Sequence, residues 1–422
     1  MSLPQTLAQK LIAKACGRNE VAVGEIVTCN VDLAMFHDSS GPRRLQPMLD
    51  ELGAKLWDRS KIVLVIDHYV PEADDESRRI VRIAREWAKD QQLPNVYDSV
   101  GICHVVLPER GHLRPGMFCV GGDSHSPTGG AFGTYMFGIG STEMLGVVVS
   151  GQIWVKVPET LRMHWRGRLA RGVTAKDMML HMIGRFGMNG GRYQAVEFCG
   201  EAVSALSMQE RMTLSNISAE MGAQAGLIAP DAVTLDYLRS VGVTDEIDIG
   251  RWQGDADAVA ETHEFDATTL APQVAAPHSP ANTREAQTFA DVAVQVAYIG
   301  ACTGAKLDDL RAAASVLRNR RVAQGVQLVV APASMRDQEI AKQEGVMAIL
   351  EAAGAQVLAT SCGACSGYGG QIPEGSNVIS STARNFKGRM GAETAQVYLG
   401  SPYTVAASAL RGRITDPREV LA

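Results

Sequence analysis

Aromatic side chains are scarce, at 5% of 422 residues. A cationic excess is missing too: 46 acidic residues outnumber 40 Lys and Arg, giving a formal net charge of −6. A chain that grips a phosphate backbone carries a basic surplus, so this balance argues against a nucleic-acid binder. No uncharged apolar run is long enough to span a bilayer, so no membrane role is expected. The stretch from Met1 to Ala8 has neither the cationic start nor the apolar core of a secretory signal. Cysteine forms no dense framework. Eight thiols spread through a chain of this length indicate a reducing, cytoplasmic setting. Glycine, by contrast, is abundant at 42 residues, and 46% of the chain is hydrophobic. Many glycines with few aromatics fit an α/β protein with tight strand-to-helix turns better than a β-sandwich.

Several apolar runs read as buried strands. Ile26 to Asp32 leads into a polar loop from Met35 to Pro42. Lys61 to Ile66 ends at Asp67-His68. Met117 to Val120 precedes Gly122-Asp123-Ser124-His125-Ser126. Val292 to Ile299 runs into Gly300-Ala301-Cys302, Ala355 to Ala359 into Cys362 and Cys365, and Asn377 to Ser381 into Arg384. Val105 to Leu107 is a further short strand candidate. Helical spacing marks Thr6–Ala15, Asp75–Gln91, Lys176–Phe186, Leu214–Ile228, Leu307–Leu317 and Met335–Ala352. Glu264 to Glu285, rich in Ala, Pro, Thr and Ser, reads as a linker or a long crossing segment, and as the best boundary. The expected division is 1–157, 158–280 and 281–422, all α/β. In open α/β sheets ligands bind beyond the carboxyl ends of strands, where these polar and thiol residues fall.

The chemistry centres on sulfur. Cys362 and Cys365 lie three apart on a glycine-rich turn, and Cys302 lies sixty residues upstream. A C-x-x-C alone is compatible with a redox pair or a zinc half-site. Three thiolates can instead hold an iron–sulfur cluster and leave one iron without a protein ligand, open to a substrate oxygen. Cys16, Cys29, Cys103, Cys119 and Cys199 read as small buried hydrophobes. His68 and His125 sit at strand ends where a group titrating near neutrality can do acid–base work. Asn216 and Glu220, four apart, share a helical face. Arg384 and Arg389 on one loop suit a dicarboxylate, because each guanidinium can grip a carboxylate with two bonds.

These segments, with Leu214-Ser215-Asn216 to Glu220-Met221-Gly222-Ala223 and Arg384-Asn385-Phe386-Lys387-Gly388-Arg389, resemble the motifs of the aconitase superfamily. They occur in the same order over nearly the whole chain. The resemblance is greatest to the separate large-subunit type of 3-isopropylmalate dehydratase. It implies three α/β domains with parallel-rich sheets around a central cluster cleft, and a 4Fe–4S cluster on Cys302, Cys362 and Cys365. It implies carboxylate–imidazole pairs Asp67–His68, Asp123–His104 and Glu220–His125. Substrate contacts fall to Arg384, Arg389, Asn216 and Ser124. The implied activity is a hydro-lyase reaction on a small hydroxy-dicarboxylic acid, in leucine biosynthesis. Related diacids (maleate, citraconate or 2-methylmalate, 2,3-dimethylmalate, homoaconitate) are the alternatives. A cluster-free RNA-binding regulator is the rival from another class, and a zinc-stapled structural protein is a third reading. The swivelling domain that supplies a serine base is expected on a separate small subunit. Two positions depart from the pattern: Gly304 and Ala383 stand where the family usually has Asn.

Overall fold

The computed structural model describes residues 4–368 and 372–421. They form two compact units, each assembled from separate stretches of chain: 1–98, 106–166 and 191–265 in the first, 99–105, 167–190 and 266–422 in the second.

The first unit holds three sheets. A small antiparallel pair joins β1 (Ile26–Asn30) to β7 (Gln152–Lys156). The main sheet has the order β4-β3-β2-β5-β6, built from β2 (Leu33–His37), β3 (Ile62–Ile66), β4 (Asn95–Asp98), β5 (Phe118–Gly121) and β6 (Tyr135–Gly138). Every neighbouring pair in it is parallel. β3 reads Ile-Val-Leu-Val-Ile and is buried throughout, as a strand covered on both faces must be. The crossover helix Asp75–Asp90 starts at a capping box, with Asp74 accepting from the Ser77 N–H at 2.7 Å. It buries Ile80, Val81, Ala84 and Trp87, and Trp87 meets Phe36 edge-on at 5.6 Å. The third sheet, β10-β9-β8-β11, is made of β8 (Thr160–Arg166), β9 (Ala195–Cys199), β10 (Ala225–Leu227) and β11 (Glu261–Asp266).

The second unit is organised on one seven-stranded sheet of order β13-β12-β18-β17-β14-β15-β16. Its strands are β12 (Gln273–Ala275), β13 (Thr283–Glu285), β14 (Val296–Ile299), β15 (Gln327–Val330), β16 (Ala355–Val357), β17 (Asn377–Ser380) and β18 (Gln396–Leu399). The five strands from β14 to β18 pair in parallel, and β12 and β13 add an antiparallel edge. Strand order reverses between β2 and β5 in the first unit and between β14 and β17 in the second. Each such reversal splays the connections apart and opens a crevice at the carboxyl ends of the strands.

Five local expectations are corrected. Met35 to His37 belongs to β2 and not to a loop, because all five of its residues are buried. Val105 to Leu107 lies in a helix, Cys103–Glu109. The expected helix from Leu214 to Ile228 is instead a helix Met208–Ile217, a 3₁₀ turn Ser218–Met221 and strand β10, since Gly222 at φ +77° ends the helical run. Glu264 to Glu285 is no linker: its β12 and β13 take places in the large sheet. The run Met335–Ala352 is also two helices, Met335–Gln343 and Val346–Ala353, broken at left-handed Gly345. Cys29, Cys103 and Cys119 are buried, whereas Cys16 and Cys199 are partly exposed. Among the described residues no helix is long and apolar enough to cross a membrane.

Glycines in the first unit divide into two kinds that can be told apart by experiment. A Cβ on Gly130 would fall 1.9 Å from the Gly226 carbonyl oxygen, a backbone atom that cannot swing away. Gly130→Ala is expected to destabilise the protein by about 1–3 kcal/mol through overpacking. Gly146, mid-helix in Ser141–Ser150, has nothing within 4 Å of such a Cβ. Gly146→Ala is expected to stabilise by about 0.5–1 kcal/mol. Thermal melting of both variants checks the pair, and the shifts should have opposite signs.

Candidate active site

In the first unit, the turn after β3 is fastened to the turn after β2 by one carboxylate. Asp38, fully buried, accepts the backbone N–H groups of Asp67 at 3.3 Å, His68 at 3.1 Å and Tyr69 at 2.8 Å. This fixes the Asp67-His68 pair at the crevice. The His68 ring donates from Nδ1 to Asp67 Oδ1 at 2.7 Å, and its Nε2 faces Asp123 Oδ2 at 3.8 Å. Burial alone would push the His68 imidazole down. Asp67, Asp123 and Asp38 outweigh it and raise the pKa to about 9. His68 therefore carries its proton at neutral pH.

His37, at the end of β2, stacks on His68 with ring centroids 3.7 Å apart and planes 11° from parallel. Its Nδ1 accepts the Ser39 N–H at 3.2 Å, which places its proton on Nε2, 3.5 Å from Asp123 Oδ2. Asp123 Oδ1 accepts the His125 backbone N–H at 2.7 Å. His125 Nε2 pairs with Glu220 Oε1 at 2.9 Å, with both side chains buried. The Asn216 amide donates to Thr128 Oγ1 at 2.8 Å, and Thr128 in turn donates to the His125 carbonyl at 2.7 Å. The turn that carries His125 is thus braced at two points. Ser124 is exposed at its tip. His37, Asp38, Asp67 and His68 lie close enough to surround one ion. Asp38 is already committed to three N–H groups, and both imidazole Nδ1 atoms are in use. The group is therefore arranged for holding protons. His104, buried on its helix, belongs to the second unit.

In the second unit, two turns at the strand-order reversal are locked through Ser381. Its Oγ accepts the Gly300 N–H at 2.9 Å and reaches the Gly300 and Gly304 carbonyls at 3.1 and 3.2 Å. Thr303 Oγ1 donates to the Ser381 carbonyl at 2.9 Å. A Cβ on Gly304 would sit 2.2 Å from Ser381 Oγ, so no side chain fits. That gives the first departure from the family pattern a packing reason. Ala301 takes a left-handed φ of +69°, a conformation an L-residue holds only when its surroundings impose it. Cys302 and Cys365 are buried, and Cys362 is partly exposed.

Two buried lysines support the same turns. Lys306 Nζ donates to the Cys302 carbonyl at 3.0 Å and to Asp309 at 2.7 Å. Lys176 Nζ donates to the Thr382 carbonyl at 2.6 Å and to that of Ser381. Burial pushes Lys176 down to about 7, against the pull of Asp309 and Cys365. Beyond Ala383, Asn385 Nδ2 binds the carbonyls of Ala276 at 2.7 Å and Val397 at 3.0 Å, fixing the Arg384–Arg389 loop. The Arg389 Nε is buried with no hydrogen-bond partner among the described residues. A buried guanidinium N–H in that state suits an incoming anion. The Tyr298 hydroxyl is likewise buried and unpartnered, under the charges of Cys365 and Cys362. A donor left over beside thiols, and a thiol-only donor set, fit an iron–sulfur cluster.

All thirteen site residues expected from sequence lie within the described residues, and the pairs His68–Asp67 and His125–Glu220 form as expected. Sequence reasoning missed His37, which ends an apolar run and was assigned to a loop. It also missed Asp38, Lys176, Lys306, Ser381 and Tyr298. Lys176 and Lys306 each sit at the start of a helix, where a cation is ordinarily unfavourable. That misplacement is a usable signal.

The His68 geometry has a pH consequence. Its folded pKa of about 9 lies above the ordinary 6.5, so its protonated form contributes stability fully below pH 6.5, lost as pH rises through 9. Proton-detected titration of His68 is expected to show the high value. In Asp67→Asn it should fall, because the nearest charge and hydrogen-bond partner that raise it are removed.

The profile of the aconitase family (aconitate hydratase) matches residues 9–289 and 281–412. The chain is 42% identical over 421 residues to 3-isopropylmalate dehydratase large subunit 1 of Methanopyrus kandleri, covering 99% of this chain and 100% of the relative. It is 41% identical to a probable 3-isopropylmalate dehydratase large subunit of Methanothermobacter thermautotrophicus, covering 98% and 99%. A probable methanogen homoaconitase large subunit of the same organism is 39% identical, covering 98% and 97%. Among solved structures, the holo-form of Thermococcus kodakaraensis aconitase X superposes with a TM-score of 0.50 at 14% identity, covering 87% of each chain, a likeness of fold. A profile spanning nearly the full length and relatives near 40% identity place this chain in the aconitase family.

Proposed function

We propose that this chain is the large catalytic subunit of a 4Fe–4S hydro-lyase acting on a small hydroxy-dicarboxylic acid, of the 3-isopropylmalate dehydratase type. The observation that carries the reading is the set of three thiols at the carboxyl ends of β14 and β16, with the arginine loop following β17. Cys302, Cys362 and Cys365 would hold the cluster. When bound, it supplies a Lewis-acidic iron without a protein ligand.

The remaining chemistry belongs to side chains. The proton to be removed lies next to a carboxylate and is weakly acidic. Arg384 and Arg389 grip carboxylate and stabilise the negative charge that develops on it. The hydroxyl is a poor leaving group, and His68, held protonated by Asp67, donates a proton to it. Asp123 is oriented by the His125 N–H and is paired in this reading with His104. Glu220 sets the tautomer of His125. Asn216, whose amide also braces the turn through Thr128, and Ser124 contribute to substrate binding. The base is a serine of a separate small subunit that carries the swivel domain, a partner in keeping with relatives named as large subunits. We also propose the three-domain division 1–157, 158–280 and 281–422 and a cytoplasmic location. The three larger sheets draw their strands from consecutive stretches, 33–138, 160–266 and 273–399, which supports the division. The homoaconitase relative supports a second substrate reading, homoaconitate.

The test is anaerobic turnover with the small subunit against 3-isopropylmalate, homoaconitate, citraconate, 2,3-dimethylmalate and maleate. Fastest turnover is expected on 3-isopropylmalate. Turnover of another diacid alone overturns the substrate, and turnover by the lone large chain overturns the two-subunit reading. Within the working enzyme, His68→Ala should lower turnover by about 10²–10⁴-fold. Arg384→Lys should also fail, since a point charge cannot reproduce a planar two-bond grip.

A further inference from the structure

We propose that Tyr298 is a positioning residue for the cluster, its hydroxyl donating a hydrogen bond to a cluster or ligand sulfur. This rests on the reading of Cys302, Cys362 and Cys365 as cluster ligands.

Tyr298 is the third residue of β14 and is 2% exposed. Tyr298 belongs to an apolar cluster with Val296, Val329, Val378 and Met390. Buried tyrosine hydroxyls ordinarily find a partner, and this one has none among the described residues. Gly300, two residues on, faces the same side of the strand. A Cβ there would lie 2.3 Å from the Tyr298 ring and 2.4 Å from its hydroxyl oxygen. The ring therefore lies over Gly300, and its hydroxyl points along β14 toward the turn that bears Cys302. A phenol keeps its proton at neutral pH, well below its usual pKa of about 10. It thus remains a donor.

The two buried lysines beneath these turns are occupied. Lys306 is bound to the Cys302 carbonyl and Asp309, and Lys176 to the carbonyls of Ser381 and Thr382. A phenylalanine would fill the apolar pocket equally well, so packing does not account for the hydroxyl. A sulfur acceptor does. Hydrogen bonds to cluster sulfurs are among the factors that set reduction potential, because they stabilise the added negative charge.

The experiment uses anaerobically reconstituted wild type and Tyr298→Phe, with iron and sulfide assayed first. The clusters are then reduced with dithionite and examined by pulsed EPR after exchange into D₂O. Wild type should show an exchangeable proton coupled to the cluster that Tyr298→Phe lacks, and the variant's midpoint potential should be lower. A protein with 3-fluorotyrosine at position 298 keeps the shape and strengthens the donor, so it should retain the coupling and move the potential upward. Identical coupling and potential in wild type and Tyr298→Phe overturn the proposal. If Tyr298→Phe cannot be loaded, the fluorotyrosine protein decides, and an unchanged potential overturns it. Absence of iron and sulfide from wild type instead overturns the cluster reading itself, and this inference with it.

Discussion

The Ser381 hydroxyl, wedged between the backbone groups of Gly300 and Gly304, is the contact on which the second unit's site depends. At a strand-order reversal two neighbouring turns diverge, so each exposes backbone polar groups that helices and strands would otherwise pair. Those groups need partners, and the partners also decide where the functional side chains point. Ser381 supplies them for the turn that carries Cys302, and its own carbonyl is held by Thr303 and Lys176. In the first unit Asp38 has the same task. One buried carboxylate takes three successive N–H groups and thereby sets the Asp67–His68 pair. Neither residue needs to touch substrate to matter, because a buried polar partner removed leaves the others unsatisfied at a cost of about 1–3 kcal/mol each.

The two units carry opposite local electrostatics. The first gathers carboxylates around imidazoles, which favours protonated His68 and keeps a proton available at neutral pH. The second gathers basic side chains near thiols: Lys306 and Lys176, the latter lowered to about 7 by burial, beneath the turns, Arg384 and Arg389 on the loop beyond. Thiolates are the form that binds metal, and neighbouring positive charge favours them. The modest net charge of −6 hides this division. Composition could exclude a polyanion binder but could not reveal how charge is distributed within the fold.

Legibility in the sequence followed the physics of each element. β3 was plain, since five consecutive branched or long apolar residues make a strand buried on both faces. The motif residues were plain because they follow such strands directly. His37 was hidden for the opposite reason: it is the polar end of a buried strand whose Met and Phe could equally begin a loop. The stretch 264–285 misled because its Ala, Pro and Thr composition is that of a linker, while its β12 and β13 owe their pairing to distant partners such as Leu399. The roles of Ser381 and Tyr298 depend on contacts with Gly304 and Gly300. No periodicity reports a contact made through a missing side chain.

The central claim is that three thiols of this chain hold a cluster with one iron left open. Mössbauer spectroscopy of the anaerobically reconstituted chain, together with iron and sulfide content, tests it most directly. The account predicts about four irons and four sulfides per chain, with one iron spectroscopically distinct and shifting when a hydroxy-diacid is added in the presence of the small subunit. Cys365→Ser should lose that spectrum. A chain that binds zinc in place of iron, or one whose irons are all alike and unmoved by the diacid, would contradict the account.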